Sequence, residues 1–475
     1  MNKVDIKEIY DKFTNGKAKI SGTDIRLFVE SPFAVFCRHF ADEKLKDSRS
    51  EYFELLFKKG NIHEDNVVKE LYPKAEQCDV KDRKQGFMEL LEEMQKGVES
   101  LHNFPLMLLQ EGLHGEFDIL EKRKGKSDFG NYYYIVKEIK HAKNVREKHA
   151  MQAAFYNYLL GKIQGYTPEK FYIINREMKS FGFKYSDFKE KVENAIEGVN
   201  KILDERKASA TYNACAYPWK TYCNKMAIEN NDISLALNVG LKRKITLNKI
   251  GLCTLKDLAN TDIDKLIGLD GVGNKTAQAM RRSAESLVKN EPIVFGKVTM
   301  PNAKTIIYLD LEGTDDEGLI KIDYLFGALV DGKYYSFVAH KREDEGKMFA
   351  EFLEFLKQYD QYLLYHFGDY EKTRIKHMIK LYGIGEEILD KLVDLHKIIR
   401  EYVAFPAYGQ GLKEIAHYLG YNWKHKEVNA MESVALYNDY LETGDKHKLQ
   451  LVIDYNEDDV RATEVIKVYL DKIDS

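Results

Sequence analysis

Proline is scarce in this chain, at 8 of 475 residues, so segment boundaries are not marked by proline-rich linkers and have to be read from glycine and from shifts in pattern. Cysteine is scarcer still; five in so long a chain do not make a disulfide framework. No apolar run reaches the ~20 residues needed to cross a bilayer, so no membrane is expected as a partner. The opening MNKVDIKEIYDKF is charged and has no apolar signal core, and a cytoplasmic protein is the expectation. A surplus of one charge sign is also missing. With 72 Lys+Arg against 76 Asp+Glu the net charge is −4, which argues against a histone-like, purely electrostatic nucleic-acid binder. It leaves room for a nuclease, whose acidic centre can be offset by local basic surface.

Three blocks stand out, at 1–230, 235–292 and 295–475. The first opens with helical patterns such as YFELLFKKGNIHEDNVVKELY (52–72). Two strand-like runs follow, LHGEFDILEK and NYYYIVKEIKH, with the charged KRKGKSDFG between them predicted as a hairpin loop. A helix, EKHAMQAAFYNYLLGKI, and a strand, KFYIINREM, complete a mixed α/β pattern. The second block reads twice as helix, glycine turn, helix. It holds ten Lys/Arg against six Asp/Glu over 238–291, a surplus of four positive charges in a negatively charged chain. The third opens on the apolar strand TIIYLDLEG after NEPIVFGKVTMPNAK. It continues with IDYLFGALVDGKYYSFVAH as a strand and hairpin, then a helix whose Phe349, Phe352, Leu353 and Leu356 share one face.

Asp310 and Glu312 sit two apart in that first strand, hence on one face of it. An apolar strand does not bury two carboxylates without a partner, and a hard divalent cation is the natural one. Asp369 ends the apolar run YLLYHFGD, and Asp459 in YNEDDV has Tyr455 one helical turn before it. Four acids from three elements suit a two-metal phosphodiester site serving both the attacking and the leaving oxygen. This ordered set resembles the DEDD exonucleases of the RNase H-like fold, in the tyrosine subclass. The resemblance implies Mg²⁺ or Mn²⁺ ligation by Asp310, Glu312, Asp369 and Asp459. It also implies orientation of the attacking water by Tyr455, and 3′→5′ polarity. Asp394 and Asp458 are competing acids. His366 and His396 read as packing or supporting groups. Lys413, in QGLKEIAHYLGY, reads as an exposed helix lysine in preference to a phosphate contact.

In the first block Asp118 lies in GEFDIL, placed by the pattern on the first hairpin strand, and Glu138 and Lys140 form E-x-K on the second. Two acids can hold a metal while the lysine steadies developing phosphate charge. Glu116 points to the opposite strand face. His63 precedes them on a helix, and Gln152 and Tyr156 follow one turn apart on another. The order His, Asp, Glu-x-Lys, Gln-x-x-x-Tyr resembles the PD-(D/E)XK nucleases, most of all the RecB-type and CRISPR-associated RecB-like exonucleases. That resemblance implies a restriction-endonuclease-like domain. It makes His63, Asp118 and Glu138 metal ligands and Lys140 catalytic, with Gln152 and Tyr156 near DNA. Many such enzymes hold an iron–sulfur cluster on four cysteines. Here Cys37, Cys215 and Cys223 match, but the usual close CxxC pair is absent and Cys78 fits only an unusual path. Buried thiols, not a complete cluster, are expected.

In the middle block, LDGVGNKTAQAM resembles a helix-hairpin-helix motif. Gly271 and Gly273 permit the tight turn and let helix-start N–H groups meet a phosphate, with Lys275, Arg281 and Arg282 adding charge. KIGLCTLKDLA looks like a weaker copy that packs. The expected protein is an α/β multidomain, metal-dependent nuclease with two hydrolytic sites. It would bind single-stranded or end-containing DNA, with RNA the rival substrate. An enzyme with one active site, its other domain only binding nucleic acid, is the alternative.

Overall fold

The computed structural model describes residues 4–314 and 321–474. They form two compact units, one of residues up to Met226 and one from Ala227 onward, with Arg49–Leu55 counting with the second.

The first unit is built on a six-stranded sheet in the order Glu76–Gln77, Ser100–His102, Ile119–Ser127, Gly130–Ile139, Lys170–Ile174, Ser180–Lys184. The charged run 122–127 is strand, not loop: Lys122, Arg123 and Lys124 pair with Tyr134, Tyr133 and Tyr132, and the chain turns between Ser127 and Gly130. The tyrosines give those basic residues apolar rings to lie against, and Lys122 Nζ sits 5.3 Å from the Tyr132 ring centre. Leu113–Glu116 belongs to a separate three-stranded sheet with Ile20–Ser21 and Pro105–Leu108. Asp118 therefore falls between two strands, not on one. The helix Glu147–Ile163 runs where the pattern places it, and Val67, Ile119, Ile139 and Ile174 form a small core beneath the E-x-K strand.

The second unit contains the glycine hairpins and a five-stranded sheet. Its strands run Lys333–Val338, Asp323–Val330, Thr305–Gly313, Tyr362–His366, Leu392–Asp394; the second is antiparallel to both its neighbours and the last two are parallel to the third. Asp331 and Gly332, both at positive φ, make the two-residue turn between the first antiparallel pair. Apolar side chains fill both faces: Leu309, Leu311, Phe326, Phe349 and Phe352 in one cluster, Tyr308, Leu329, Tyr365, Phe405 and Ile466 in the other. The long helix Lys446–Asp474 packs against the central strand Thr305–Gly313. The strand Tyr362–His366 ends earlier than expected, and Asp369 is the N-cap of the following helix Tyr370–Tyr382.

Candidate functional site

The central strand, the C-terminal helix and their neighbours bring Asp310, Glu312 and Asp459 together, with one oxygen from each within 4.8 Å of the others. Among the described residues this is the one place where three His, Cys, Asp or Glu donors meet so closely. Each acid is held by a neutral donor. Asn456 Nδ2 donates to Asp310 at 2.6 Å, Ser433 Oγ to Glu312 at 3.1 Å, and Trp423 Nε1 to Asp459 at 2.7 Å. Asp310 faces Gly327 on the adjacent strand, and a Cβ there would stand 1.7 Å from Asn456 Oδ1. That glycine is what lets Asn456 reach the acid.

Burial raises all three acids, and the charge of Asp459 adds to the rise of Asp310 and Glu312. Asp310 stands well above the ordinary carboxylate range, Glu312 is pushed to about 8 and Asp459 to about 6. None makes an ion pair among the described residues. Unpaired, converging oxygens are the donor set a divalent cation takes, so the residues present fit Mg²⁺ or Mn²⁺. Tyr455 is buried beside them, hydrogen-bonded to Asp459, and its hydroxyl is strongly disfavoured from ionising.

Lys413 is not a free surface lysine. Its ammonium lies 4.6 Å from the Tyr455 ring centre and 5.4 Å from that of Trp423, and it draws down the pKa of both Asp459 and Glu312. Asp369 is exposed and outside the three-acid group. Glu371, two residues on, is buried, holds His366 Nδ1 at 3.2 Å, and repels Asp310. The sequence held a signal for it. Glu371 sits in the buried stripe of its helix with Arg374, Ile375 and Met378, where an acid needs a buried partner. The competing acids have structural work. Asp394 accepts from Gly368 N and Lys397 N, and Asp458 from Tyr421 and Lys424 N. His396 stacks on Phe367.

In the first unit, Lys140 Nζ lies 2.9 Å from Glu138 and 3.8 Å from Asp118, so the hairpin does join Asp118 to the E-x-K pair. Burial and the Asp118 charge push Glu138 to about 8. His63 is buried, its ring centre 5.2 Å from that of His141. Its Nε2 has no hydrogen-bond partner among the described residues, and burial disfavours the charged ring, leaving the neutral form that binds metals. His63 does not join Asp118 and Glu138 in a tight group. Glu64 does carry charge toward Asp118 and Lys140, and is fixed by His102 and Asn103. Gln152 donates to the Tyr156 hydroxyl at 2.9 Å. Tyr156 is buried: a Cβ at either Gly22 or Gly115 would strike its ring, so the phenol fills the gap those glycines leave and does not lie on the surface. Glu116 is exposed and faces Arg83. Cys37, Cys215 and Cys223 are buried thiols that influence one another; Ser31 stands 3.0 Å from Cys215, and Cys78 lies apart against Gly86.

The two glycine hairpins differ in how their second helices begin. Leu255–Ala259 is self-capped, Thr254 and Asp257 occupying its first N–H groups. Asn274–Lys289 has Gly273 as N-cap and no side-chain cap, and a Cβ at Gly273 would meet nothing within 4 Å. Gly271 is there for its φ of +70°. Lys275 is exposed and Arg281 half-buried, while Arg282 stacks on Phe295, 3.8 Å from the ring centre, and is committed to packing.

Residues 307–471 match the RNase_H superfamily, and residues 238–286 match the SAM-like helix-hairpin-helix tandem, so both hairpins belong to one motif. The chain is also similar to the Holliday junction branch migration complex subunit RuvA of Malacoplasma penetrans (strain HF-2), 31% identical over 141 residues. That stretch is 29% of this chain and spans 62% of that protein. The chain thus carries an RNase H superfamily domain behind a helix-hairpin-helix tandem, a pairing that suggests a nuclease acting on nucleic acid. Among the described residues no helix is long and apolar enough to cross a membrane.

Proposed function

We propose that this chain is a metal-dependent nuclease that trims DNA from 3′ ends in its C-terminal domain, and that its N-terminal domain is a second, PD-(D/E)XK-type hydrolytic site. The observation that carries the first half is the convergence of Asp310, Glu312 and Asp459, whose combined charge Lys413 offsets only in part. Glu371 is the fourth acid of this reading, in place of Asp369. Bound Mg²⁺ or Mn²⁺ would supply Lewis acidity to the attacking and leaving oxygens. The chain's own residues do the rest. Tyr455 orients the incoming water. Lys413 offsets charge gathering on the phosphate, and Asn456, Ser433 and Trp423 hold the acids at fixed positions. The second hairpin grips a phosphate through the open start of Asn274–Lys289, without reading bases. The likeness to a junction-complex subunit supports DNA over RNA.

For the N-terminal site, Asp118 and Glu138 would hold the metal, His63 would have to move in to become a third ligand, Lys140 steadies the phosphate and Gln152 contacts the strand. The competing reading, a single active site in the C-terminal domain with the first unit only binding DNA, draws on one observation: His63 is not gathered to the two acids. End-labelled single strands, duplexes, RNA and hybrids with Mg²⁺ and Mn²⁺, cut by the intact protein and its Asp310→Ala and Asp118→Ala variants, separate the two. Metal-dependent cleavage surviving in Asp310→Ala and lost in the double variant supports two sites. Cleavage wholly lost in Asp310→Ala supports one, and trimming unchanged in that variant overturns the C-terminal assignment.

A further inference from the structure

We propose that Trp423 sets which cation the C-terminal site accepts, by claiming one oxygen of Asp459. The proposal rests on the metal site argued above and adds a selectivity device to it. The indole Nε1 donates to Asp459 Oδ1 at 2.7 Å. An indole N–H is donor only, so this bond cannot reverse to suit a ligand.

The ring is also unable to swing away. The segment carrying it is strapped to the catalytic helix by its neighbours. Tyr421 Oη donates to Asp458 at 2.7 Å, the Lys424 backbone N–H donates to the same carboxylate at 2.7 Å, and His425 Nε2 stands 3.2 Å from Asp454. Tyr421 meets the indole edge-on, 5.2 Å between ring centres, and Lys413 lies over it at 5.4 Å. Such a strap is more than a connection between helices needs, and its effect is to hold one N–H against one oxygen.

The chemical consequence follows from coordination habits. Mg²⁺ and Mn²⁺ take one oxygen per carboxylate in octahedral shells, whereas Ca²⁺ gathers six to eight oxygens and commonly chelates both oxygens of an acid. With Oδ1 engaged by the indole, Asp459 is disfavoured from chelating one cation through both of its oxygens. The smaller ions lose nothing by this, whereas Ca²⁺ loses a bidentate ligand.

The test measures Mg²⁺ and Ca²⁺ binding by calorimetry on the full chain carrying Asp118→Asn, which removes the N-terminal acid pair from the titration. Trp423→Phe is expected to shift the Ca²⁺-to-Mg²⁺ affinity ratio toward Ca²⁺ by about tenfold, within the range that ligand-orienting groups command. Tyr421→Phe, which removes one bond of the strap and keeps the indole N–H, should shift the ratio by clearly less than Trp423→Phe does. Should Trp423→Phe not fold, 3-benzothienylalanine at position 423 keeps the ring shape without the N–H, and the same shift is expected. An unchanged ratio, equal weakening of both ions, or an equal shift in Tyr421→Phe overturns the proposal. If the parent binds neither cation more tightly than its Asp310→Ala derivative, the metal site itself fails, a result distinct from any of these.

Discussion

Glu371 lies against His366, 3.2 Å from its Nδ1 and buried with it, while Asp369 at the same helix start is exposed. Glu371 is thus an acid that can serve a buried site, and Asp369 an exposed one at the N-cap position whose side chain makes no capping bond. Glu371→Gln should lower C-terminal nuclease activity by roughly a hundredfold or more, since it removes a charge from the metal cage. Asp369→Asn should leave it within a few-fold. Steady-state trimming of an end-labelled strand decides, and the reverse ranking would restore Asp369 as the fourth acid.

Gly327 offers a second check on the same cage. Gly327→Ala places a carbon 1.7 Å from Asn456 Oδ1, which must move and release Asp310. Activity should fall by about ten- to a hundredfold, as for other changes to groups that orient ligands. Far-ultraviolet circular dichroism should be unchanged. Retained activity would mean that Asn456 does not position Asp310.

The raised acids make stability depend on pH and on metal. Glu312 has a folded value of about 8 against an ordinary 4.5, so the folded state holds more protons than the unfolded one between them. Metal-free stability therefore falls as pH rises through that window and levels off above it. A divalent cation binds the ionised form and offsets the loss. The rise in Tm on adding Mg²⁺ should grow from pH 5 to pH 8, and should be nearly abolished in Asp310→Ala. A pH-independent shift, or one that survives in the variant, would place the ion elsewhere.

Much of this site could be read from the chain because acids recurring in a fixed order along strands and a helix have few innocent explanations as a set, though each alone has many. Asp310, Glu312, Asp459 and Tyr455 were legible in that way, although the strand and the helix that carry them lie at opposite ends of the domain's sequence. What escaped was set by helix phase and by packing. Whether Asp369 or Glu371 turns inward depends on where Tyr370–Tyr382 starts its first turn. Lys413 looked exposed because the rings that receive it arrive from the loop at Trp423 and from the last helix. Arg282 looked available for DNA because Phe295 lies beyond the hairpin block. Basic residues 122–127 looked like a loop because the tyrosines that pair with them are on the next strand.

The hairpin tandem should bind DNA through one of its two turns. The start of Leu255–Ala259 is closed by its own Thr254 and Asp257, whereas that of Asn274–Lys289 is open. Replacing Lys275 and Arg281 with glutamine should weaken DNA binding for every sequence and lower the log–log salt slope by about 0.9 for each phosphate no longer neutralised. Arg282→Gln should leave the salt slope alone and lower thermal stability, since it removes a cation stacked on Phe295. A slope that drops with Arg282 and not with the other two would reverse the assignment.

The N-terminal site rests on Lys140, which faces both acids at 2.9 and 3.8 Å. Burial and the Asp118 charge push Glu138 to about 8, so the lysine alone does not neutralise the pair. A module that only bound DNA would gain nothing by presenting such acids to phosphate. With a divalent cation between them the acids become ligands, and Lys140 is released to meet the developing charge on the phosphate. In an Asp310→Ala background, the full chain should therefore keep Mn²⁺- or Mg²⁺-dependent cleavage. Lys140→Ala should abolish that cleavage while DNA affinity stays within a few-fold, read by product formation and by anisotropy of a labelled strand. A folded, DNA-bound Asp310→Ala protein that is inert with both metals would leave one active site in this chain, and the acids at Asp118 and Glu138 without a catalytic role.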